Sequence, residues 1–407
     1  TGEAGNLGNR ATFVPNIRFN SDYELLRDWL TLDAQASARR NSINPFAAGA
    51  DDPLSGRGNT NLIYDYAVGA LLQRRIAQYA GLRARYAYNE QFNEVDQFGD
   101  SSENRVEVDL DTLPGSSRLS YGVGGRYSKV EYDASEIRPA FDNELSSAEV
   151  RAGFQINSSW QLNGLVGEEW NQFTSASDEI DGAYWDAGVR WTPNARIEVN
   201  LGAGERFFGS TPRASIAYRH KRSEFRASYL RSLQLPRNLR VLDDPLGNPD
   251  DPFDPGFVGV PGDPIGQGGV PTLIGQSPIL DERLQLGYTF TARRTTVGLS
   301  GSESQQTRAE DLSEGTFREV ALTLARDLSS VMTANLRLAW NDSVGSEEGQ
   351  DFFARDRELW RARLSLTREI GASTALTFVY QFSTQQSDSV LNEYDENRIT
   401  FNVRHGF

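Results

Sequence analysis

The sequence has no cysteine, two histidines (His220 and His405) and two lysines (Lys129 and Lys221) among its 407 residues. Missing thiols exclude disulfides and thiolate metal sites. Two imidazoles leave little for histidine-based chemistry: a Ser/His/acid hydrolase needs a serine and an acid to converge on one of them. No P-loop, dinucleotide fingerprint, HExxH or CxxC pattern occurs, so neither a cofactor nor a resident metal is expected. Long hydrophobic runs are also missing. The longest, Ala67–Leu72, is far short of the roughly 20 residues of a membrane-spanning helix. Basic residues are outnumbered, 41 against 56 acidic, and the net charge of -15 disfavours nucleic acid as a partner. The first ten residues show neither the charged nor the apolar region of a secretory signal, so any such signal is expected to be already removed.

What is present is alternation. In the closing stretch "ENRITFNVRHGF", Phe407, His405, Val403, Phe401 and Ile399 alternate with Gly406, Arg404, Asn402, Thr400 and Arg398. Side chains of a strand point to opposite faces with period two, so such a segment has one oily and one wet face. Nineteen segments of about ten residues repeat this pattern, the length of tilted transmembrane strands. Clear cases are "NLIYDYAVGAL", "YAGLRARYAY", "RLSYGVGGRY" and "TALTFVYQF". A mean hydropathy of -0.53 does not argue against a membrane, because a barrel offers lipid only half of each strand.

Connections alternate too. Short turns such as "PGSS", "TPNA" and "KRSE" interleave with long polar loops such as "NEQFNEVDQFGDSSE", an order that a soluble sandwich has no reason to keep. Trp160, Trp170, Trp185, Trp191, Trp340 and Trp360 fall in the apolar register near segment ends, as an interfacial girdle requires, whereas Trp29 does not. The expectation is an all-β fold: a single antiparallel transmembrane β-barrel of about 18 to 20 strands over residues 1–407, with short periplasmic turns and long extracellular loops. It would sit in a bacterial outer membrane, among its lipid and lipopolysaccharide, and Phe407 would serve as its C-terminal assembly signal. Nineteen strands counted back from a descending last strand make the first, "ATFVPNIRF", descend as well. Bacterial barrels have even strand numbers, so either a twentieth strand precedes Thr1, with residues 1–10 as the tail of an outer loop, or one of the nineteen segments is not a strand.

The polar faces carry the candidate lumen lining: Arg83, Arg85, Arg105, Glu107, Asp109, Arg126, Glu149, Arg151, Asp186, Arg190, Glu198, Arg337, Arg361, Arg363, Arg398 and Arg404. Mixed signs on neighbouring strands suit cross-strand ion pairs that stiffen a solvated wall. The same arginines, with Asn163, Asn200, Gln155, Gln285, Gln381 and Asn402, also suit a conduit for a hydrated or anionic polymer. Residues 235–280 hold nine of the sixteen prolines and eight glycines, which excludes a long helix or ladder strand there. Three readings of this segment stay open: a gate folded over or into the mouth, an outer tether, and a calcium site. Asp243, Asp244, Asp250, Asp251 and Asp254 would serve the gate or the ion, although EF-hand spacing is lacking.

One stretch, residues 182–233, joins a Trp-containing strand, a "WTP" turn (Trp191 to Pro193), a "G-x-RFFG" corner (Gly204 to Gly209) and "YRH" (Tyr218 to His220) followed by basic residues. It resembles the outer-membrane β-barrel proteins associated with PEP-CTERM and exosortase gene sets. The resemblance implies a role in exopolysaccharide export, with a polysaccharide substrate and a periplasmic or lipoprotein partner. It carries no catalytic residue onto this chain. A plugged barrel that organises a surface assembly and a general diffusion porin are the alternatives.

Overall fold

The computed structural model describes residues 17–42, 60–77, 79–95, 99–112, 117–135, 139–235, 237, 277–345, 356–371, 374–388 and 392–405. Their strands form one antiparallel sheet in which neighbours in sequence are neighbours in space. The first strands are β1 (Ile17–Leu26), β2 (Leu30–Ser42), β3 (Thr60–Ala77), β4 (Ala80–Asn93), β5 (Ser101–Thr112), β6 (Leu119–Tyr132) and β7 (Phe141–Gln155). They continue with β8 (Trp160–Gln172), β9 (Gly182–Asn194), β10 (Ile197–Arg206), the fragment β11 (Gly209–Ser210), β12 (Arg213–His220) and β13 (Ser223–Gln234). The last are β14 (Ile279–Thr291), β15 (Thr295–Arg308), β16 (Glu314–Ser329), β17 (Met332–Gly345), β18 (Arg357–Glu369), β19 (Thr374–Ser387) and β20 (Tyr394–His405). No helix among the described residues is long and apolar enough to cross a membrane.

The two faces of the sheet differ as the alternation demands. On β3, Asn61, Ile63, Asp65 and Ala67 are buried, while Tyr64, Tyr66 and Val68 between them are exposed. The same outward face carries Val123, Leu162, Leu299, Val320, Leu322, Leu338, Leu364 and Phe401, all exposed apolar side chains. So many contiguous apolar groups facing outward are incompatible with water and fit hydrocarbon. Trp160 and Trp170 stand on this face at opposite ends of β8. Ten residues of strand rise about 33 Å, and a tilt near 40° reduces that to about 25 Å, the height of the apolar band of such barrels. Trp160 stacks on Trp191 at the short-turn end, and Trp340 meets Trp360 nearer the other.

The sheet curls until distant parts meet. Ala176, between β8 and β9, donates its N–H to the carbonyl of Ala309, between β15 and β16. Turns at one end are short, as in the two residues Lys221 and Arg222 between β12 and β13, where Lys221 takes a positive φ of 50°. Long connections lie at the other end.

Apart from the two-residue β11, the described strands are nineteen, and β1 and β20 run in the same direction. Among the described residues no ladder joins them. Both faces of β1 are exposed from Phe19 to Leu26, as are Phe401 to Arg404 of β20. The first strand is described from Ile17 and continues to Leu26, beyond the end of "ATFVPNIRF": Phe19, Tyr23 and Leu25 extend an outward row past Asn20, Asp22 and Glu24, and residues 11–16 lie outside the described residues. Residues 1–10 and Phe407 lie outside the described residues.

Charge on the outer face should therefore be costly. Leu322→Arg is expected to destabilise the protein in lipid vesicles by about 2–4 kcal/mol, read from urea unfolding, while Gln285→Arg on the opposite face leaves the midpoint nearly unchanged.

Candidate functional site

The site is the inner wall. Every candidate lining residue occupies the face opposite the exposed apolar row: Arg83 and Arg85 on β4, Arg105, Glu107 and Asp109 on β5, Arg126 on β6, Glu149 and Arg151 on β7. Asp186 and Arg190 follow on β9, Glu198 on β10, Arg337 on β17, Arg361 and Arg363 on β18, and Arg398 and Arg404 on β20.

From β2 to β12 these charges are joined by ion pairs that skip a strand. Arg85 reaches over β3 to Asp33 at 3.4 Å, Arg151 reaches over β6 to Asp109 at 2.6 Å, and Arg213 reaches over β10 to Asp186 at 3.0 Å. In each case the strand between presents glycine. A Cβ on Gly69 would lie 2.6 Å from the Asp33 carboxylate, one on Gly124 would lie 2.9 Å from Asp109, and one on Gly202 would lie 2.6 Å from the Arg213 guanidinium. The glycines of "YGVGG" and "NLGAGERF" thus leave room for side chains to cross. Arg151 also meets Glu149 at 3.2 Å and Asp111 at 3.1 Å, and the Tyr184 hydroxyl donates to Glu149 at 2.7 Å. Charge-assisted bonds of this type contribute about 1.5–3 kcal/mol each when shielded from water, and the Arg151 and Asp109 side chains are 18% and 19% exposed.

The long-loop end of the inner face is packed. Ile63, Glu103, Val130, Asn143, Ile279 and Leu359 are almost fully buried. Part of what covers them is the chain itself as it leaves β13. Leu235 packs against Val130 and Tyr132, with Phe141 and Leu145 beside them. Arg237 donates a hydrogen bond to Asn89 on β4 and lies 3.9 Å from Glu103 on β5, both partners of that ion pair being buried. β4 to β6 are well removed from β13 along the sheet, so this segment crosses the mouth to the far wall. Residues 238–276 lie outside the described residues, and with them Asp243, Asp244, Asp250, Asp251 and Asp254. Between β15 and β16, burial acts to raise the Asp311 carboxyl, but hydrogen bonds from Arg308 and Ser313 hold it below its ordinary range.

Glu103, Asn89 and Arg237 were missing from the sequence-derived lining. Extending the alternation of "ENRVEVD" two residues upstream from Arg105 would have found Glu103. Arg237 had no such signal, because its partner Asn89 is 148 residues away. No group of histidine, cysteine or carboxylate side chains among the described residues could hold a metal ion.

The "RFFG" corner closes the β10 end. Phe207 and Phe208 meet edge to face, Gly209 takes a φ of 100°, and Arg231 binds the carbonyls of Ser210 and Phe208. Arg206 of the same run turns inward to Glu169.

No family model matches the chain, and no curated protein matches it. Solved structures do. The FrpB iron transporter from Neisseria meningitidis superposes with a TM-score of 0.53 at 9% identity, over 95% of this chain and 71% of that one. The chain has the fold of the bacterial outer-membrane β-barrel proteins. The ferric enterobactin receptor PfeA from Pseudomonas aeruginosa gives a TM-score of 0.48 at 9% identity, over 95% and 68%. OccK5 from the same organism gives 0.42 at 10%, over 93% and 98%. An outer-membrane location agrees with the outward apolar face described above.

The absence of native cysteine makes the packed mouth easy to probe. A cysteine placed at buried, inward-facing Ala87 is expected to react slowly with an aqueous maleimide. Adding Arg237→Ala, which leaves Asn89 and Glu103 without that guanidinium, should accelerate labelling by about tenfold or more through local opening.

Proposed function

We propose that this outer-membrane barrel is a non-enzymatic conduit through which a surface polysaccharide leaves the cell, working with a periplasmic or lipoprotein partner. The observation that carries the reading is the contrast along the inner face: a wall of polar and charged groups, capped at the long-loop end by Leu235 and Arg237. Polar walls suit a hydrated chain of hydroxyls, since amides and guanidinium groups exchange hydrogen bonds with it at little cost. A cap on a wall of this kind suits intermittent passage, because a permanently open channel of nineteen or more strands would leak small solutes. Leu235 and Arg237 are the contacts that hold the mouth shut in this reading. The likeness of residues 182–233 to barrels of exopolysaccharide gene sets supports the choice of cargo.

A second reading has its own support. The same packed mouth suits a barrel that is permanently plugged and serves as a scaffold for surface assembly.

Current through the purified protein in planar bilayers separates the two. The conduit predicts brief, infrequent openings in the wild type and long, large openings once Arg237→Ala loosens the mouth. Silence from both proteins would contradict passage and favour the plug.

A further inference from the structure

The inner wall is not uniformly neutralised. From β2 to β12 arginines meet carboxylates across glycine, but on β17 to β20 the register builds a row of cations. Arg337 stands directly opposite Arg363, Arg363 opposite Gln381, and Gln381 opposite Arg398. The next row towards the mouth holds Arg361, Ser383 and Glu396. Like charges directly opposite each other on neighbouring strands repel, and sheets ordinarily avoid them. Arg337 is held by Glu319 on β16 at 2.7 Å, and Arg398 lies 4.0 Å from Glu396. Arg363, between them, has no carboxylate or hydrogen-bond partner among the described residues, and its charged neighbours are Arg361 and Arg337. This concentration of positive charge stands in a chain whose net charge is -15.

Position adds a second observation. Arg357, Leu359, Ser383 and Gln385 above the row are buried in the packed mouth, as are Gln381 within the row and Val379 below it, while Arg337, Arg363, Arg398 and Ser365 are partly open. The row therefore lies at the edge of the packed mouth, with its arginines partly open. A solute rising through the barrel would meet it immediately before the cap.

We propose that Arg337, Arg363, Gln381 and Arg398 form a binding site for the carboxylates of an acidic saccharide, with Arg363 as its central contact. Guanidinium forks match carboxylates in a two-pronged geometry, and Gln381, whose amide nitrogen donates to Ser383, spaces Arg363 from Arg398. The proposal rests on the polysaccharide reading for its ligand class, but its test does not require the channel to conduct.

Binding of trigalacturonate to the detergent-solubilised, full-length protein, measured by isothermal titration calorimetry at low salt, tests it. The wild type should bind the acid at least about tenfold more tightly than its uncharged methyl ester. Arg363→Gln should abolish that preference and Arg363→Lys should keep part of it, both variants retaining the far-ultraviolet circular dichroism of the wild type. Equal binding of acid and ester, no binding by the wild type, or an unchanged Arg363→Gln variant would overturn the site. Inorganic phosphate that displaces trigalacturonate at equal concentration would assign the row to a free anion and overturn its saccharide assignment.

Discussion

Contact between the outward side chains and hydrocarbon is the constraint on which the structure depends. In water, the row from Val320 through Leu322 to Leu324 on β16, with its counterparts on the neighbouring strands, would drive aggregation. In lipid the same row is at home, and the backbone must then satisfy every N–H and C=O internally. A continuous antiparallel ladder does this, which is why the strands are long, sequential neighbours pair, and connections fall outside the band. The girdle of Trp160, Trp170, Trp191, Trp340 and Trp360 marks where that constraint ends.

Once lipid claims one face, everything polar must share the other. Charges placed there without partners would face each other a few ångströms apart across neighbouring strands. The glycines at 69, 124 and 202 resolve this by letting an arginine reach an acid two strands away, so that the wall is cross-linked laterally beyond its backbone ladder. Where the device is absent, on β17 to β20, positive charge accumulates. Structure and function diverge at that boundary: one part of the wall is knitted for stability, and the other is left able to hold an anion.

Much of this was legible in the sequence, because period two is the signal that a half-buried strand cannot avoid. The assignment of Arg85, Arg151 or Arg363 to the wet face follows from parity alone. Alternating short and long connections located the two ends, and nineteen segments compare with nineteen full strands among the described residues. Elsewhere parity was insufficient. The first segment, "ATFVPNIRF", ends at Phe19, whereas β1 runs on through Asn20, Ser21 and Asp22 to Leu26. Trp29 left the register because it occupies the β1–β2 turn, where the Arg74 guanidinium lies 3.7 Å over its ring. The role of strand glycines as gaps for ion pairs depends on lateral neighbours that no single strand reveals. The crossing of Leu235 and Arg237 to β4–β6 was illegible for the same reason: it is a contact between walls, and nothing local encodes it.

The central claim is that lipid solvates the outer face, and spin labels scanned along β16 test it most directly. Single cysteines at residues 319 to 324, introduced into the cysteine-free protein and labelled in reconstituted vesicles, report access to oxygen from the bilayer and to a nickel chelate from water. The account predicts strict alternation, with oxygen access at 320, 322 and 324 and exclusion of the chelate there. Protection of those three positions from both reagents would mean that a second layer of protein covers them, and would contradict it.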